Sequence, residues 1–357
     1  MYSYRIPREP NRKNRLDYRL DLTRDLLLNL HRGECCAVVG VGSCGKTRLL
    51  SHITRPDVME YHLGQEAYNH FIVLVECNSW VSQTTWAGYE GMTRSLMDML
   101  NNTNHPILLQ AARTLENFHS VIVQDKDIAP VNFMKGIDEL LKGKPIQLTF
   151  CFDEFDFVFE KFDSQFFRNL RALRNHHKYQ LTYLTATRRQ LPFQRPLETR
   201  EDVEEFYELF TDNTYAIGPY SAVDANEMVG DLEIRYGFPI KPPTRDLLID
   251  ITGGHPGLLG AAYRFLETIK ETPTTPQRMG QLLLSEQSLW KECTKIWDSL
   301  LATERAALKK LSHGRATQAD LSQLNQLKVK GLVKENAARN LLPFSPIFQE
   351  FIKAQGE

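Results

Sequence analysis

Residues 40–47 read GVGSCGKT and match the pattern G-x-x-x-x-G-K-[ST]. An apolar run precedes them and a helix-like segment, residues 46–54, follows. Glycine lets the backbone wrap around an anion with its N–H groups pointing inward, and the dipole of the next helix adds to the attraction. In this setting Lys46 reaches the β- and γ-phosphates of a nucleotide, and the Thr47 hydroxyl reaches its magnesium ion. The motif therefore predicts a phosphate-binding loop (P-loop) rather than a glycine-rich turn with a chance lysine.

The predicted nucleotide contacts extend through the whole loop and one residue beyond it. They are Gly40, Val41, Gly42, Ser43, Cys44, Gly45, Lys46, Thr47 and Arg48. No N/T-K-x-D guanine motif is apparent in the sequence, which favours ATP over GTP.

A second motif lies at the end of another apolar segment, where residues 146–156 read IQLTFCFDEFD. Two adjacent carboxylates after a buried strand would be an ordinary surface turn in isolation. About 105 residues after a P-loop, they are the acids that a P-loop hydrolase requires. Asp153 is predicted to hold Mg²⁺ and Glu154 to polarise the attacking water as general base. Asp156 is either a further acidic contact or a solvated residue.

The fourth strand-like segment of the chain ends in TATRR, residues 185–189. A polar group there would lie beside the γ-phosphate and could sense its presence. Arg188 is the preferred candidate and Thr187 the second. The alternative is a capped strand end followed by solvated arginines.

Apolar strand-like segments alternate with helical segments up to about residue 220, and mainly helical patterns follow. This alternation is typical of a parallel sheet covered by helices on both faces. The predicted strands are Cys35–Val39, Phe71–Val75, Ile146–Phe152, Leu181–Ala186 and Tyr215–Ile217.

The three motifs, together with TGGHPGLL at residues 252–259, resemble the STAND-type NTPases within the wider AAA+ and ORC-like group. The resemblance implies that Pro256 packs near the adenine and that the N-terminal segment, around residues 4–12, contacts the base. That segment departs from the family's usual F-x-G-R type. Without the resemblance, TGGHP is a plain turn between two helices.

The last part of the chain, residues 302–348, resembles the winged-helix domain that commonly closes such ATPases. Eight Lys/Arg and two acids lie between residues 305 and 339, so this patch could contact DNA. The family more often uses the domain to pack on the nucleotide site and lock an off state.

The resulting fold prediction is α/β: a parallel-sheet P-loop NTPase of the ASCE type, followed by an α-helical lid and a small winged-helix-like domain. The predicted parts are an N-terminal arm (1–15), the P-loop NTPase domain (16–220), the helical lid (221–285) and the winged-helix-like domain (286–357).

The composition excludes few partners. The net charge is -1, so only a local patch could attract nucleic acid or a membrane surface. No apolar run is long enough to span a bilayer, and the polar, basic start lacks a signal peptide's apolar stretch. Six cysteines without a C-x-x-C pair indicate reduced thiols and a cytoplasmic location rather than a zinc site.

Taken together, the motifs predict an ATP-driven regulatory switch that hydrolyses ATP slowly, with Mg²⁺ as cofactor and a protein partner or a second copy as its target. A DNA-associated AAA+-type loader or transposition regulator that oligomerises with ATP is the alternative. A kinase-like phosphotransferase fits less well, because the sequence shows no acceptor pocket. Three arginines spaced along one helix, Arg168, Arg171 and Arg174, either reach a neighbouring subunit or form a solvated basic face.

Overall fold

The computed structural model of the chain describes residues 15–102 and 105–356. The predicted N-terminal arm, apart from Arg15, and the expected base-contacting segment at residues 4–12 lie outside the described residues.

Five parallel strands form the central sheet, in the order β2-β3-β4-β1-β5. Their bounds are Cys36–Val39 (β1), His70–Glu76 (β2), Gln147–Asp153 (β3), Leu181–Thr187 (β4) and Thr214–Ala216 (β5). β4 separates the P-loop strand from the Asp153 strand, which is the ASCE arrangement. β1 and β4 are buried along their whole length because helices cover both faces of the sheet.

The strand register brings the functional strand ends to one edge of the sheet. Val39 pairs with Thr187 in β4, and Glu76 pairs with Asp153 in β3. Since the carboxyl ends of parallel strands share one edge, the P-loop, the acidic pair and the β4 end meet there.

Helices flank the sheet and then continue without it. The longer helices of the sheet domain are α1 (Leu20–His31), α2 (Lys46–Ile53), α3 (Pro56–Leu63), α4 (Thr85–Asn101), α5 (Pro106–Gln124), α6 (Ala129–Leu141), α7 (Asp156–Lys161) and α8 (Ser164–His176). Two one-turn helices, Leu197–Arg200 and Glu204–Tyr207, lie between β4 and β5. Those that follow are α9 (Ala222–Tyr236), α10 (Pro242–Thr252), α11 (Pro256–Ile269), α12 (Pro276–Leu284) and α13 (Gln287–Asp298).

The C-terminal module contains the predicted order of helices and strands. It consists of α14 (Ala302–Ser312), α15 (Leu321–Val329), the antiparallel hairpin β6 (Val333–Glu335) and β7 (Leu341–Pro343), and α16 (Pro346–Ala354). The short stretch between α14 and β6 holds one α-helix, preceded by a 3₁₀ turn at Gln318–Asp320. The name winged helix, like the domain limits, stays a prediction.

Two hydrophobic cores hold the fold together. One lies between the sheet and α4–α8 and is rich in phenylalanine, including Phe150, Phe155 and Phe206. The other runs from the sheet through the helices after residue 221 into the C-terminal module, and it includes Leu258 and Phe348. The continuous second core fixes the helical region and the C-terminal module against the P-loop side of the sheet.

The helix predicted over residues 16–31 was wrong at its start, because residues 16–19 are not helical. The helix begins at Leu20, because Arg19 has a left-handed backbone with φ 46°. The Arg19 guanidinium donates to the carbonyls of Cys44 and Gly218, at 3.1 and 2.8 Å, which ties this turn to the P-loop.

The cysteines and the helices agree with two further expectations. All six cysteines are buried and free of disulfides. Among the helices of the described residues, none is both long and apolar enough to cross a membrane.

Candidate nucleotide site

The P-loop forms the predicted turn between β1 and α2. The Gly40 N–H donates to the Thr187 carbonyl at 3.0 Å, so the loop starts as an extension of the sheet. Ser43 and Gly45 both have left-handed backbones, with φ 59° and 94°. Such turns of successive N–H groups make anion-binding concavities, and glycine takes this backbone at Gly45 without strain.

Lys46 is held inside the loop. Its side chain is 7% exposed, and Nζ donates to the carbonyls of Gly40 and Val41 at 2.6 and 3.1 Å. The ammonium group therefore lies over the concavity. A phosphate oxygen could replace the two carbonyls as its hydrogen-bond acceptor or bind beside them.

Thr47 and Asp153 meet across the sheet edge. Thr47 Oγ1 donates to Asp153 Oδ2 at 2.6 Å, and the Glu154 N–H donates to Asp153 Oδ1 at 3.0 Å. Burial raises the pKa of Asp153, and the hydrogen bond from Thr47 opposes this shift. A buried carboxylate and a hydroxyl in contact are the oxygen donors that Mg²⁺ prefers.

Glu154 has a strained backbone at the strand tip. Its φ is 54°, in the left-handed region, which costs a non-glycine residue on the order of 1 kcal/mol. The side chain is half-exposed, and its Oε2 lies 3.5 Å from Arg188 Nη2. The structure thus places Arg188 beside Glu154, where the pair faces solvent next to the P-loop edge.

Asp156 is more than a solvated acid. The Arg188 N–H donates to its Oδ1 at 2.8 Å, while its buried Oδ2 has no partner among the described residues. Burial raises the pKa of Asp156, and the bond from Arg188 opposes the rise. Asp156 therefore fixes the backbone that carries Arg188.

Arg189 is a functional candidate that the sequence interpretation missed. Its guanidinium donates to the carbonyls of Asp298, Ser299 and Leu300, at 2.9, 3.2 and 3.2 Å. These three carbonyls lie at the C-terminal end of α13. The signal was available in the second arginine of TATRR, but nothing in the sequence indicated which segment it would hold.

α13 also touches the P-loop directly. The Gly42 N–H donates to Ser299 Oγ at 2.9 Å, and a Cβ at Gly42 would lie 3.0 Å from Lys295. Gly42 thus permits the close approach of α13. The loop, the β4 end and the helix before the C-terminal module are therefore physically joined.

The TGGHP segment lies against the other side of the loop. The Gly257 N–H donates to the Ser43 carbonyl at 3.2 Å, and a Cβ at Gly45 would lie 3.8 Å from Pro256. His255 is fully buried, its Nδ1 caps the Leu258 N–H at 3.4 Å, and burial lowers its pKa to about 3. The segment is thus both a helix start and a wall of the site, with a neutral histidine at physiological pH.

An aromatic group borders the start of α2. The hydroxyls of Tyr18 and Tyr220 lie 3.1 Å apart, and each would be 3.4 Å from a Cβ at Gly45. Arg48 stacks over the Tyr18 ring at 5.0 Å and lies 3.6 Å from Asp231. Arg48, predicted as a nucleotide contact, here faces this aromatic group.

The helical arginines do not form a free basic row. Arg174 is buried and donates to the Gly33 carbonyl at 3.0 Å, so it cannot reach a neighbouring subunit. Arg171 donates to the Glu205 carbonyl and Arg168 to Ser164 Oγ. Both interpretations, the contact to a neighbouring subunit and the solvated basic face, were wrong for Arg174, because the helix turns that side toward the core.

The basic patch at residues 305–339 is partly neutralised. Lys310 pairs with Asp320, Lys328 with Glu335, and Lys330 with the buried Glu304, which lies just outside the counted window. These pairs leave fewer cations for phosphate backbones than the sequence suggested.

Structure comparisons find similar chains, whereas sequence comparisons give no match: no protein-family model and no curated protein matches the chain. A Walker-type ATPase of Pyrococcus abyssi superposes with TM-score 0.53 at 12% identity, covering 94% of this chain and 95% of that chain. The ORC2 protein of Aeropyrum pernix in its ADP form gives 0.49 at 14% identity, over 99% and 97%. Cdc6p of Pyrobaculum aerophilum gives 0.45 at 14%, over 97% of each.

At these identities only the fold can be compared, and the Pyrococcus abyssi structure extends the likeness over nearly the whole length of both chains. The chain therefore has the fold of a P-loop ATPase, with a parallel-sheet domain followed by a helical C-terminal region.

Proposed function

We propose that the chain is a STAND-like ATPase: it binds ATP with Mg²⁺ at the P-loop, hydrolyses it slowly and signals its nucleotide state to a partner. The convergence of Lys46, Thr47 and Asp153 at one edge of the sheet carries this proposal. Lys46 lies over the loop's concavity, and the Thr47 hydroxyl touches the Asp153 carboxylate at 2.6 Å. ATP and ADP are the expected ligands.

The donor set fits magnesium. Thr47 and Asp153 would hold the ion, since both offer hard oxygen atoms: the Asp153 carboxylate is buried, and the Thr47 hydroxyl touches it from the exposed side. When bound, the ion neutralises charge on the phosphate oxygens. Lys46 binds the same oxygens, and Glu154 orients and deprotonates the attacking water.

The contacts of α13 support a switching role. Ser299 bonds the P-loop at Gly42, and Arg189 bonds the end of α13 from the β4 end. A γ-phosphate that changes the position of either the loop or β4 would thus change the position of the C-terminal module. Arg188, beside Glu154, is the proposed sensor of that phosphate.

Two substitutions test the proposal. Lys46→Ala should lose ATP binding by at least about a hundredfold, because a buried charge contact to the phosphates is removed. Glu154→Gln should bind ATP within about threefold of the original chain and turn it over at least about a hundred times more slowly. Glu160→Gln, a nearby exposed substitution, serves as control. Unchanged turnover by Glu154→Gln would remove Glu154 from its role.

A DNA-associated ATPase remains the second candidate function. The outer face of α15 exposes Ser322, Asn325 and Gln326, and the adjoining hairpin exposes Lys334 and Arg339. Amide side chains on a helix can read base edges, and the hairpin cations can contact phosphates. A gel shift with ATP, repeated over increasing salt, tests this. Absence of a shift at low salt would reject it, whereas a steep salt dependence would support it.

A further inference from the structure

A cleft lies where the sheet domain meets the C-terminal module. It has a volume of about 580 Å³. Trp297 and Leu300 form part of its apolar floor, and Arg189, Arg305 and Lys309 contribute three cations to its lining. We call this feature the joint cleft. It lies outside the set of residues that surround the P-loop concavity.

The cations of the joint cleft are paired mainly with carbonyl oxygens. Arg305 donates to the Asp298 carbonyl at 3.3 Å and stacks over Trp297 at 5.7 Å. Lys309 reaches the Gln355 carbonyl at 3.5 Å. The carboxylate nearest to Arg305, that of Asp298, is 4.0 Å away and mostly exposed. The cleft thus keeps a net positive charge that a carboxylate-bearing ligand would complement.

The same chain carries a strongly acidic surface in its sheet domain. Residues 196–213, which we call the acidic segment, contain seven Asp/Glu and one Lys/Arg. The acidic side chains are all exposed, and they are Glu198, Glu201, Asp202, Glu204, Glu205, Glu208 and Asp212.

The acidic segment is fixed in position by its apolar residues. Val203, Phe206 and Phe210 are buried in the phenylalanine-rich core, and Arg171 donates to the Glu205 carbonyl. Within the described parts of the chain, no ion pair joins its carboxylates to a cation. The segment therefore presents unpaired negative charge on a rigid support, so little entropy is lost when it is bound.

We propose that the joint cleft binds the acidic segment of a second copy of this chain. The two surfaces are opposite in charge and share no residue. Complementary charges of this kind steer association and fix its register. The overall charge of -1 adds no strong repulsion between copies. Because each copy offers one surface of each kind, the contact generates either a two-fold dimer, in which both contacts form, or a head-to-tail ring or filament.

This inference goes beyond the proposed function and does not require it. If the chain also binds ATP as proposed, Arg189 links the joint cleft to the nucleotide site, because it lines the cleft and holds the end of α13 near the P-loop.

Charge reversal on each surface, followed by mixing, tests the contact. The first variant, Arg305→Glu with Lys309→Glu, makes the cleft acidic. The second, Glu201→Lys with Glu204→Lys, makes the segment basic. Sedimentation velocity of the full chain at about 50 mM and about 300 mM salt, with and without ATP and Mg²⁺, measures association. Thermal melting confirms that each variant is folded.

Matched controls change the same amount of charge elsewhere. Lys135→Glu with Lys142→Glu changes the net charge by the same amount as the first variant, and Glu60→Lys with Glu116→Lys by the same amount as the second. All four positions are exposed.

We expect the original chain and both controls to associate at low salt and to dissociate at high salt. Each reversed variant alone should associate at least tenfold more weakly. An equal mixture of the two should recover association, because cleft and segment are again opposite in charge. A monomer under every condition, unaffected reversed variants or a mixture that stays dissociated would each overturn the proposal. The proposal would also be overturned if the cleft variant, Arg305→Glu with Lys309→Glu, lost DNA binding but associated with itself as the original chain does.

Discussion

The Thr47 hydroxyl donates a 2.6 Å hydrogen bond to the Asp153 carboxylate, although 106 positions separate the two residues. The strand that precedes the P-loop, β1, and the strand that ends at Asp153, β3, are not neighbours, because β4 runs between them. The parallel register places both strand ends at one edge, and the P-loop then turns Thr47 across β4 toward Asp153. The contact joins the two halves of the proposed metal site.

Asp153→Asn separates stability from function. Burial raises the pKa of Asp153, so the ionised carboxylate destabilises the nucleotide-free fold at neutral pH. Asparagine removes the charge and can keep both contacts, because its Oδ1 can accept from the Glu154 N–H while its Nδ2 donates to Thr47 Oγ1. We expect a melting temperature equal to or a few degrees above that of the original chain. A clearly lower melting temperature, by calorimetry without nucleotide, would show that the carboxylate has a structural role instead.

Arg188→Ala tests the sensor. Its guanidinium approaches Glu154, while its backbone N–H is fixed by Asp156. Removing the side chain should lower ATP turnover at least about tenfold and leave ADP affinity unchanged, because only the γ-phosphate is read. Arg113→Ala, at an exposed position in α5, is the control. Faster turnover would instead mean that Arg188 restrains Glu154.

Arg189→Ala tests the connection to α13. Loss of three hydrogen bonds to the carbonyls of residues 298–300 should lower the free energy of unfolding by about 2 kcal/mol. Backbone amides in α13 should exchange with solvent at least tenfold faster, and ATP should no longer alter that exchange. Arg189→Lys should recover only part of the protection, since one ammonium group cannot span three carbonyls. Unchanged exchange in Arg189→Ala would contradict the connection.

His70 should make the fold sensitive to acid. Burial lowers its pKa from 6.5 to about 4, and its Nε2 lies 3.0 Å from Thr149 Oγ1. Below pH 6.5 the unfolded chain takes up a proton that the folded chain does not accept until about pH 4. The stability contributed by neutral His70 is therefore complete above pH 6.5 and falls by about 3 kcal/mol down to pH 4.

Urea unfolding measured across this pH range checks the prediction. His70→Gln should reduce the slope of unfolding free energy against pH by up to about 1.4 kcal/mol per pH unit, which corresponds to one proton. The histidines His52, His62, His105 and His255, whose pKa values are also lowered, contribute to the remaining slope. An identical slope in the variant would mean that His70 is not protonated differently in the two states.

Much of the site could be predicted from local sequence. GVGSCGKT forms a turn between β1 and α2, as expected, and the FCFDEFD strand ends beside it. Local patterns were sufficient because a glycine-rich loop after an apolar strand restricts the backbone to few paths. The five strands were predicted to within one residue at each end for the same kind of reason: apolar runs of this length are buried when helices cover both faces.

Long-range contacts were not predictable. Arg189 stands in TATRR, but that motif does not indicate its partner, and Ser299 stands in no recognisable motif. Their meeting depends on how α13 packs against the P-loop. The first turn of α1 failed because tertiary bonds from Arg19 replaced helical geometry. Arg174 was misjudged because helical spacing alone does not tell which side of α8 faces the core.

Magnesium-dependent ATP binding tests the central claim most directly. Calorimetric titration of the full chain with ATP should show binding at least about tenfold tighter with Mg²⁺ than with a chelator present. Asp153→Asn should abolish this difference, and Lys46→Ala should abolish binding itself. The account would be contradicted if the unaltered chain bound no ATP, or if both variants bound MgATP as tightly as the unaltered chain.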